Sequence, residues 1–326
     1  MLVVAFVLLA PTEMRLPAGA MCPDAVNQGG VVHVVYGETQ SAWYTRYGSD
    51  GRVRVNSKGG SVHAGGERGP KIAVSNGTIS VVWQDDYRQG PKVWFARSTD
   101  GGKSFEPQRN LIDGKTPGLD HIAVAAAGNL VAVFWLDGRG GQDPDAPVTS
   151  TIWYSLSRDG GKTFGANQGV YSTDKMRACA CCSFAVSMTA DGKATIAYRS
   201  GIKNVRDIWL ATGNVGINSF TLKPVSSSGW VLTECPMDGP RRSEKATAYM
   251  VQDNAYFKLD SGEPMLLGPG KYPNLVQTKD EDFVTWQNGS TLFWRWVRSG
   301  ESGRISVDVP RATVVAGPDG KPLIIH

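Results

Sequence analysis

Pro70-Lys71-Ile72-Ala73-Val74, Asn76-Gly77, Ile79-Ser80-Val81-Val82-Trp83 and Val93-Trp94-Phe95-Ala96 make one unit, and its pattern returns along the 326-residue chain. An apolar strand is followed by a hairpin turn, a second apolar strand ending in an aromatic residue, and a third strand carrying Trp. The Asn-Gly pair supplies the positive φ that a tight hairpin needs. His121-Ile122-Ala123-Val124 leads in the same way through Gly128-Asn129 to Val131–Trp135 and then to Ile152-Trp153-Tyr154. Phe184-Ala185-Val186 leads through Asp191-Gly192 to Thr195–Tyr198 and Ile208-Trp209-Leu210. Weaker copies begin near Asp24 (with Trp43), Pro240 (with Phe257) and Tyr272 (with Trp294). No long segment of helical period competes with these runs. Three or four strands in a repeat of about 35 to 60 residues is the signature of a propeller blade. The pattern predicts an all-β propeller of six blades, with the tail Pro310–His326 either closing the ring or starting a seventh.

Charge and composition narrow the function. The chain has 34 Lys and Arg against 30 Asp and Glu, and no Lys/Arg run exceeds a pair. Such a dispersed balance argues against nucleic acid as a partner. The apolar run Leu2–Ala10 is too short for a bilayer span and fits the hydrophobic core of a signal peptide ending near Ala18-Gly19-Ala20. The expected organisation is therefore a signal peptide over residues 1–20 and one propeller domain over 21–326, exported and monomeric, with no membrane span. The opposite reading makes the apolar run the first strand of the fold.

Two sharper motifs follow Trp-bearing strands. Ser98-Thr99-Asp100-Gly101-Gly102-Lys103-Ser104-Phe105 and Ser157-Arg158-Asp159-Gly160-Gly161-Lys162-Thr163-Phe164 resemble the Asp box, and Ser49-Asp50-Gly51 is a degenerate trace of it. The Asp suits a turn-stabilising role, and its glycines admit positive φ. On these motifs nearly the whole chain resembles the sialidase superfamily of BNR-repeat propellers. In that family the box marks the fold and lies away from the active site.

In a propeller the starts of the first strands and the ends of the second strands meet at one end of the axis. That geometry gathers Cys22, Arg68, His121, Cys179–Cys182, Cys235 and Tyr272 with Asp85, Asp86, Arg88, Asp137, Arg139, Arg199, Gln252 and Gln287. The resemblance implies an exo-glycosidase acting on a carboxylated sugar, with Arg68 and Arg199 as carboxylate-binding arginines and Tyr272 as nucleophile; the short loop from Arg88 to Ser98 holds no carboxylate, so Asp85 or Asp86 would have to substitute as acid/base. Arg88, Asp137 and Arg139 are ligand-binding candidates on the same rim. This chain departs from that pattern where the family opens its fourth blade with an assisting Glu, because Cys181-Cys182-Ser183 stands there. A Tyr lacking a base is a poor nucleophile near neutral pH.

Three of the five cysteines fall within Cys179-Ala180-Cys181-Cys182. In an extended segment Cys179 and Cys181 would share one face and Cys182 the other. Joined by Cys235 and His121, they form a soft donor set suited to Cu(I) ahead of Zn. Disulfides are the competing use of the same residues in an exported protein, pairing Cys179 or Cys181 with Cys235. The leading expectation is a propeller that binds a ligand or a soft metal ion at a Cys/His-lined axial pocket. A glycosidase, or a non-catalytic scaffold that binds another protein, are the alternatives.

Overall fold

A computed structural model describes residues 10–57, 61–85, 90–140, 149–170, 176–309 and 311–326. Among the described residues, six antiparallel sheets and one three-stranded sheet follow one another along the chain; five of the six have four strands, and the third gains a fifth where Ala178–Cys179 pairs with Thr149–Ser157. In each of these six sheets four strands form a meander that runs outward in sequence order. Their first strands are Met21–Gln28, Lys71–Ser75, Leu119–Ala127, Ala185–Met188, Arg241–Arg242 and Lys271–Gln277. The molecule is an all-β propeller as the sequence predicts, and it has seven blades, the alternative left open beside the expected six.

The seventh blade is built from both ends of the chain. Thr313–Ala316 pairs antiparallel with Pro322–Ile325, which in turn pairs parallel with Thr12–Met14. Flanking backbone bonds extend the seam, from Leu16 N to the His326 carbonyl (2.7 Å) and from His326 N to the Met14 carbonyl (3.0 Å). The inner strand Thr313–Ala316 lies between the first strands of blades six and one, so the ring closes there. The apolar run read as a signal peptide lies, through residue 9, outside the described residues.

Blades pack face to face, and this sets the burial pattern. The second strands Thr78–Gln84 and Leu130–Asp137 are buried at every position after the first, with no alternation. A strand covered by sheets on both faces must be apolar on both. Trp83, Val82, Phe134 and Trp135 fill the space between neighbouring blades with no exposed surface.

The two Ser-Asp-Gly-Gly turns lock adjacent blades together. Asp100 accepts from the Lys103 and Ser104 amides and from the Ser104 hydroxyl (3.0, 3.1 and 2.6 Å). Asp159 repeats this with the Thr163 amide and hydroxyl (2.8 and 2.6 Å). These bonds hold both carboxyls well below the ordinary range, with the Ser104 and Thr163 hydroxyls the largest causes. Phe105 then sits edge-on to Tyr44 of blade one, and Phe164 edge-on to Phe95 of blade two. Each turn therefore reaches back to the preceding blade.

Ile324 sits in the closing seam, fully buried among Phe283, Trp296 and Val314. Truncating it removes buried methylenes and opens a void, at a cost of about 2–5 kcal/mol. Ile324→Ala is expected to lower unfolding free energy by that amount in denaturant titration. Ile217→Ala, at a residue 78% exposed, is expected to stay within about 0.5 kcal/mol of the parent.

Candidate functional site

Three first-strand openings share one distortion. Cys22, His121 and Tyr272 each have positive φ (50°, 31° and 57°). Each also sits where its strand slips register, between Met21 and Asp24, between Asp120 and Ile122, and between Lys271 and Asn274. A bulge with left-handed backbone re-aims a side chain, and such strain collects at functional positions. Blades one, three and six thus present equivalent residues at one end of the axis. The axial cavity, about 460 Å³, is lined there by Asp24, Lys71, Ser183, Arg241, Asn274 and Thr313. A wider groove of about 590 Å³ along Tyr44–Val53 and Gly102 contains no cysteine.

The cysteine stretch does not run extended as expected. Ala178–Cys179 forms a two-residue strand against Thr149 and Ser150 of blade three, and the chain then turns. The Cys182 amide donates to the Cys179 carbonyl across that turn (3.5 Å). Cys182 Sγ therefore returns to within 3.4 Å of Cys179 Sγ, while Cys181 forms a disulfide with Cys235. Cys235 Sγ also lies 3.8 Å from both Cys179 and Cys182. Four sulfurs are thereby gathered, Cys179 and Cys182 buried and the other two half-buried. Cys179, Cys182 and Cys235 could hold a metal ion, their sulfurs all lying within 4.8 Å of one another.

The Cys235 arm is held in place by its own backbone. The Met237 amide donates to Cys235 Sγ (3.4 Å), and the Asp238 carbonyl accepts from Arg199 Nε (2.9 Å). Gly239 is required here, since a Cβ would stand 1.7 Å from the Ser183 carbonyl oxygen. Cys179 has its thiol pKa lowered, first by the Cys182 S–H and then by Arg206, the Cys181 amide and Arg199, against the opposing effect of burial. Burial and the neighbouring Cys179 push the Cys182 thiol up.

His121 is fully buried but does not join the sulfur set. Its ring faces the Cys181 carbonyl, and Nε2 has no hydrogen-bond partner among the described residues. Burial, reinforced by Arg68 and Lys71, lowers its pKa to about 4 against the pull of Asp120. Cys22, free and buried, donates to the Gly66 carbonyl (3.4 Å) and also lies outside the set.

The residues assigned by resemblance to a sugar site are mostly committed elsewhere. Arg199 spends Nε, Nη1 and Nη2 on the carbonyls of Asp238, Arg206 and Met250 (2.9, 2.8 and 2.9 Å), which leaves no face for a carboxylate. Arg68 is paired in two-pronged fashion with Asp120. Asp137 is wholly buried and accepts from Thr116, Trp135 and Arg139 (2.7, 2.7 and 2.8 Å). Arg139 continues to Asp113, in the loop after blade two, and to Asn167, just before the last strand of blade three, and stacks on Trp153, so this pair braces blade three against blade two. Tyr272 lies under the Arg311 guanidinium (3.9 Å to its ring centroid), and burial, then Asp238, raises its phenol pKa. Asp86 and Arg88 lie outside the described residues.

Two carboxylates at the site carry no sequence signal of their own. Glu67, 3% exposed, accepts from the Ser183 amide and pairs with Arg311 (both 2.8 Å). Asp238, wholly buried, accepts the Tyr272 amide (2.7 Å) on one oxygen, and its other oxygen has no partner among the described residues. Both sit beside motifs that were singled out, Arg68 and Cys235, and that adjacency was the available clue.

No protein-family model and no curated relative matches the chain. Among solved structures, the alpha-L-arabinanase of Penicillium chrysogenum complexed with arabinobiose aligns over 97% of this chain and 95% of its own, at 13% identity and a TM-score of 0.50. The alpha-L-arabinofuranosidase Arb93A of Fusarium graminearum aligns over 93% and 86%, at 10% identity and 0.46. The Hadza microbial sialidase Hz136 aligns over 82% and 63%, at 15% identity and 0.48. The class defined is a β-propeller, and at such identities the likeness is one of fold alone. No described helix is long and apolar enough to cross a membrane.

His121 makes stability depend on pH. An unfolded histidine titrates near 6.5 and the folded one near 4, so the unfolded state binds more protons between those values. The stabilisation is complete above about pH 6.5 and is lost as pH falls towards 4, by about 3 kcal/mol in all. Unfolding free energies of metal-free protein, measured from pH 7 to 4, are expected to fall less steeply in His121→Asn than in the parent. Parallel profiles would show that the ring is not held neutral.

Proposed function

We propose that this propeller binds one soft metal ion, Cu(I) ahead of Zn(II), through Cys179, Cys182 and Cys235 in their reduced state. The observation that carries the reading is the set of sulfur separations, 3.4, 3.8 and 3.8 Å. Thiolates bonded to one zinc at about 2.3 Å stand about 3.8 Å apart in tetrahedral geometry, and copper–sulfur sites are of similar size. An all-sulfur donor set selects soft ions, and a buried three-thiolate site suits monovalent copper. The turn at Cys179–Cys182 and the rigid Cys235 arm prearrange the ligands, which lowers the cost of ordering them on binding.

A protein that carries a disulfide beside such a site belongs in an oxidising compartment, so the reading includes an extracytoplasmic location. The glycosidase alternative draws little support, because Arg199 and Asp137 are consumed by the fold and, among the described residues, no Glu is hydrogen-bonded to Tyr272 as the family's assisting base would be. The axial cavity with Lys71 and Arg241 remains available to a small polar ligand beside the metal.

The test is direct. Protein reduced and desalted without oxygen is expected to retain one Cu(I) per chain against a chromogenic Cu(I) chelator. Cys179→Ser and Cys182→Ser are each expected to weaken retention about 100-fold or more, as loss of a ligand requires. Failure of fully reduced, folded protein to take up either Cu(I) or Zn(II) would end the proposal. Hydrolysis of a fluorogenic sialoside, lost in Tyr272→Phe, would instead support the glycosidase.

A further inference from the structure

Cys235 is asked to do two things that exclude each other. It is the disulfide partner of Cys181, and it is one of the three sulfurs whose spacing suits an ion. Ion binding requires thiolates, so a sulfur inside a disulfide is withheld from the ion. Each of the two remaining thiols lies within 3.8 Å of Cys235 Sγ, and they lie 3.4 Å from each other.

We infer that Cys181 is a redox gate on the sulfur site: its bond to Cys235 shuts the site, and reduction of that bond opens it. The inference rests on the metal-binding reading and adds the regulation of that site. The chemistry balances with a dithiol as reductant. One thiolate of the dithiol attacks the Cys181–Cys235 disulfide and forms a mixed disulfide. Its second thiol then displaces the protein sulfur, so the dithiol leaves as a cyclic disulfide. Two electrons and two protons pass to the protein, giving thiols at Cys181 and Cys235. Binding of the ion then releases the thiol protons of its ligands.

The neighbouring sulfurs make the gate complete. A thiolate at Cys179 or Cys182 can attack Cys235 Sγ and expel the Cys181 thiolate, which moves the disulfide without net gain or loss of electrons. Every isomer with one disulfide among the four sulfurs leaves two thiols. No rearrangement can therefore offer three thiolates, and only the arrival of two electrons can. Cys181 and Cys235 are half-buried whereas Cys179 and Cys182 are buried, so the bond to be reduced is the one a small dithiol can reach.

The experiment equilibrates the full chain with graded ratios of reduced to oxidised dithiothreitol, then desalts it without oxygen. Free thiols are counted, disulfides are mapped by peptide mass, and retained Cu(I) is measured against a chelator. Wild-type protein is expected to lose Cu(I) retention at the same ratio at which the Cys181–Cys235 peptide pair appears. Cys181→Ser is expected to hold Cu(I) at ratios at least about ten-fold more oxidising, because its Cys235 lacks its preferred partner. Wild-type protein that retains Cu(I) undiminished with the mapped disulfide intact overturns the gate and leaves metal binding standing. Equal ratios for wild type and Cys181→Ser also overturn it. If neither protein takes up Cu(I) when every thiol is free, the metal-binding reading itself has failed. The wild-type titration decides the matter even if Cys181→Ser does not fold.

Discussion

Parallel pairing of Thr12–Met14 with Pro322–Ile325 is the constraint on which the ring depends. Seven wedges around an axis have nowhere to stop except on each other, and an open ring would expose two blade faces built almost wholly from apolar side chains. Joining the two ends in one sheet removes that exposed seam. It also fixes the angle between blades, because each of the seven inner strands must then face the axis. The Asp100 and Asp159 turns work on the same problem farther out, each gripping the preceding blade by an aromatic ring.

A closed ring explains why chemistry gathers where it does. Inner strands begin at one end of the axis, and residues distant in sequence meet there at no cost in chain entropy beyond that of folding. Bulges at Cys22, His121 and Tyr272 turn three of these openings inward. Glu67 links the loop before blade two to Ser183 before blade four and to Arg311 before blade seven. Asp238 links the loop before blade five to Tyr272 of blade six. The sulfur cluster is thus held by a polar network that spans most of the ring.

Much of this was legible from local sequence, and the remainder was not, for identifiable reasons. Asn76-Gly77 and Gly128-Asn129 marked hairpins because a two-residue turn is decided by its own backbone, and Asp191-Gly192 marked a slightly longer one. The tail from Pro310 pointed to a seventh blade only as one of two readings, because that blade's outer strand has three residues and finds its partner 311 positions away. Cys179–Cys182 announced sulfur chemistry by density alone, but choosing Cys181 over Cys179 as the partner of Cys235 required the turn that folds Cys182 back. Arg199 was misread because an arginine at a strand end looks the same whether it meets a ligand or three carbonyls. Asp137 and Arg139 misled in the same way, since an Asp–Arg pair on a rim is as useful for bracing as for binding.

The Cys181–Cys235 bond has a mechanical consequence as well. Its two ends are 54 residues apart, and the covalent loop they close encloses the whole of blade four, from Ala185 to Pro224. Closing a loop of that length in the unfolded chain is worth about 4 kcal/mol in the chain-entropy account. While the bond is intact, blade four cannot peel outward without dragging the opening of blade five with it. Once the bond is reduced, that blade becomes a segment free to fray by itself. One two-electron event thereby sets how large a piece of the wheel must come loose at once.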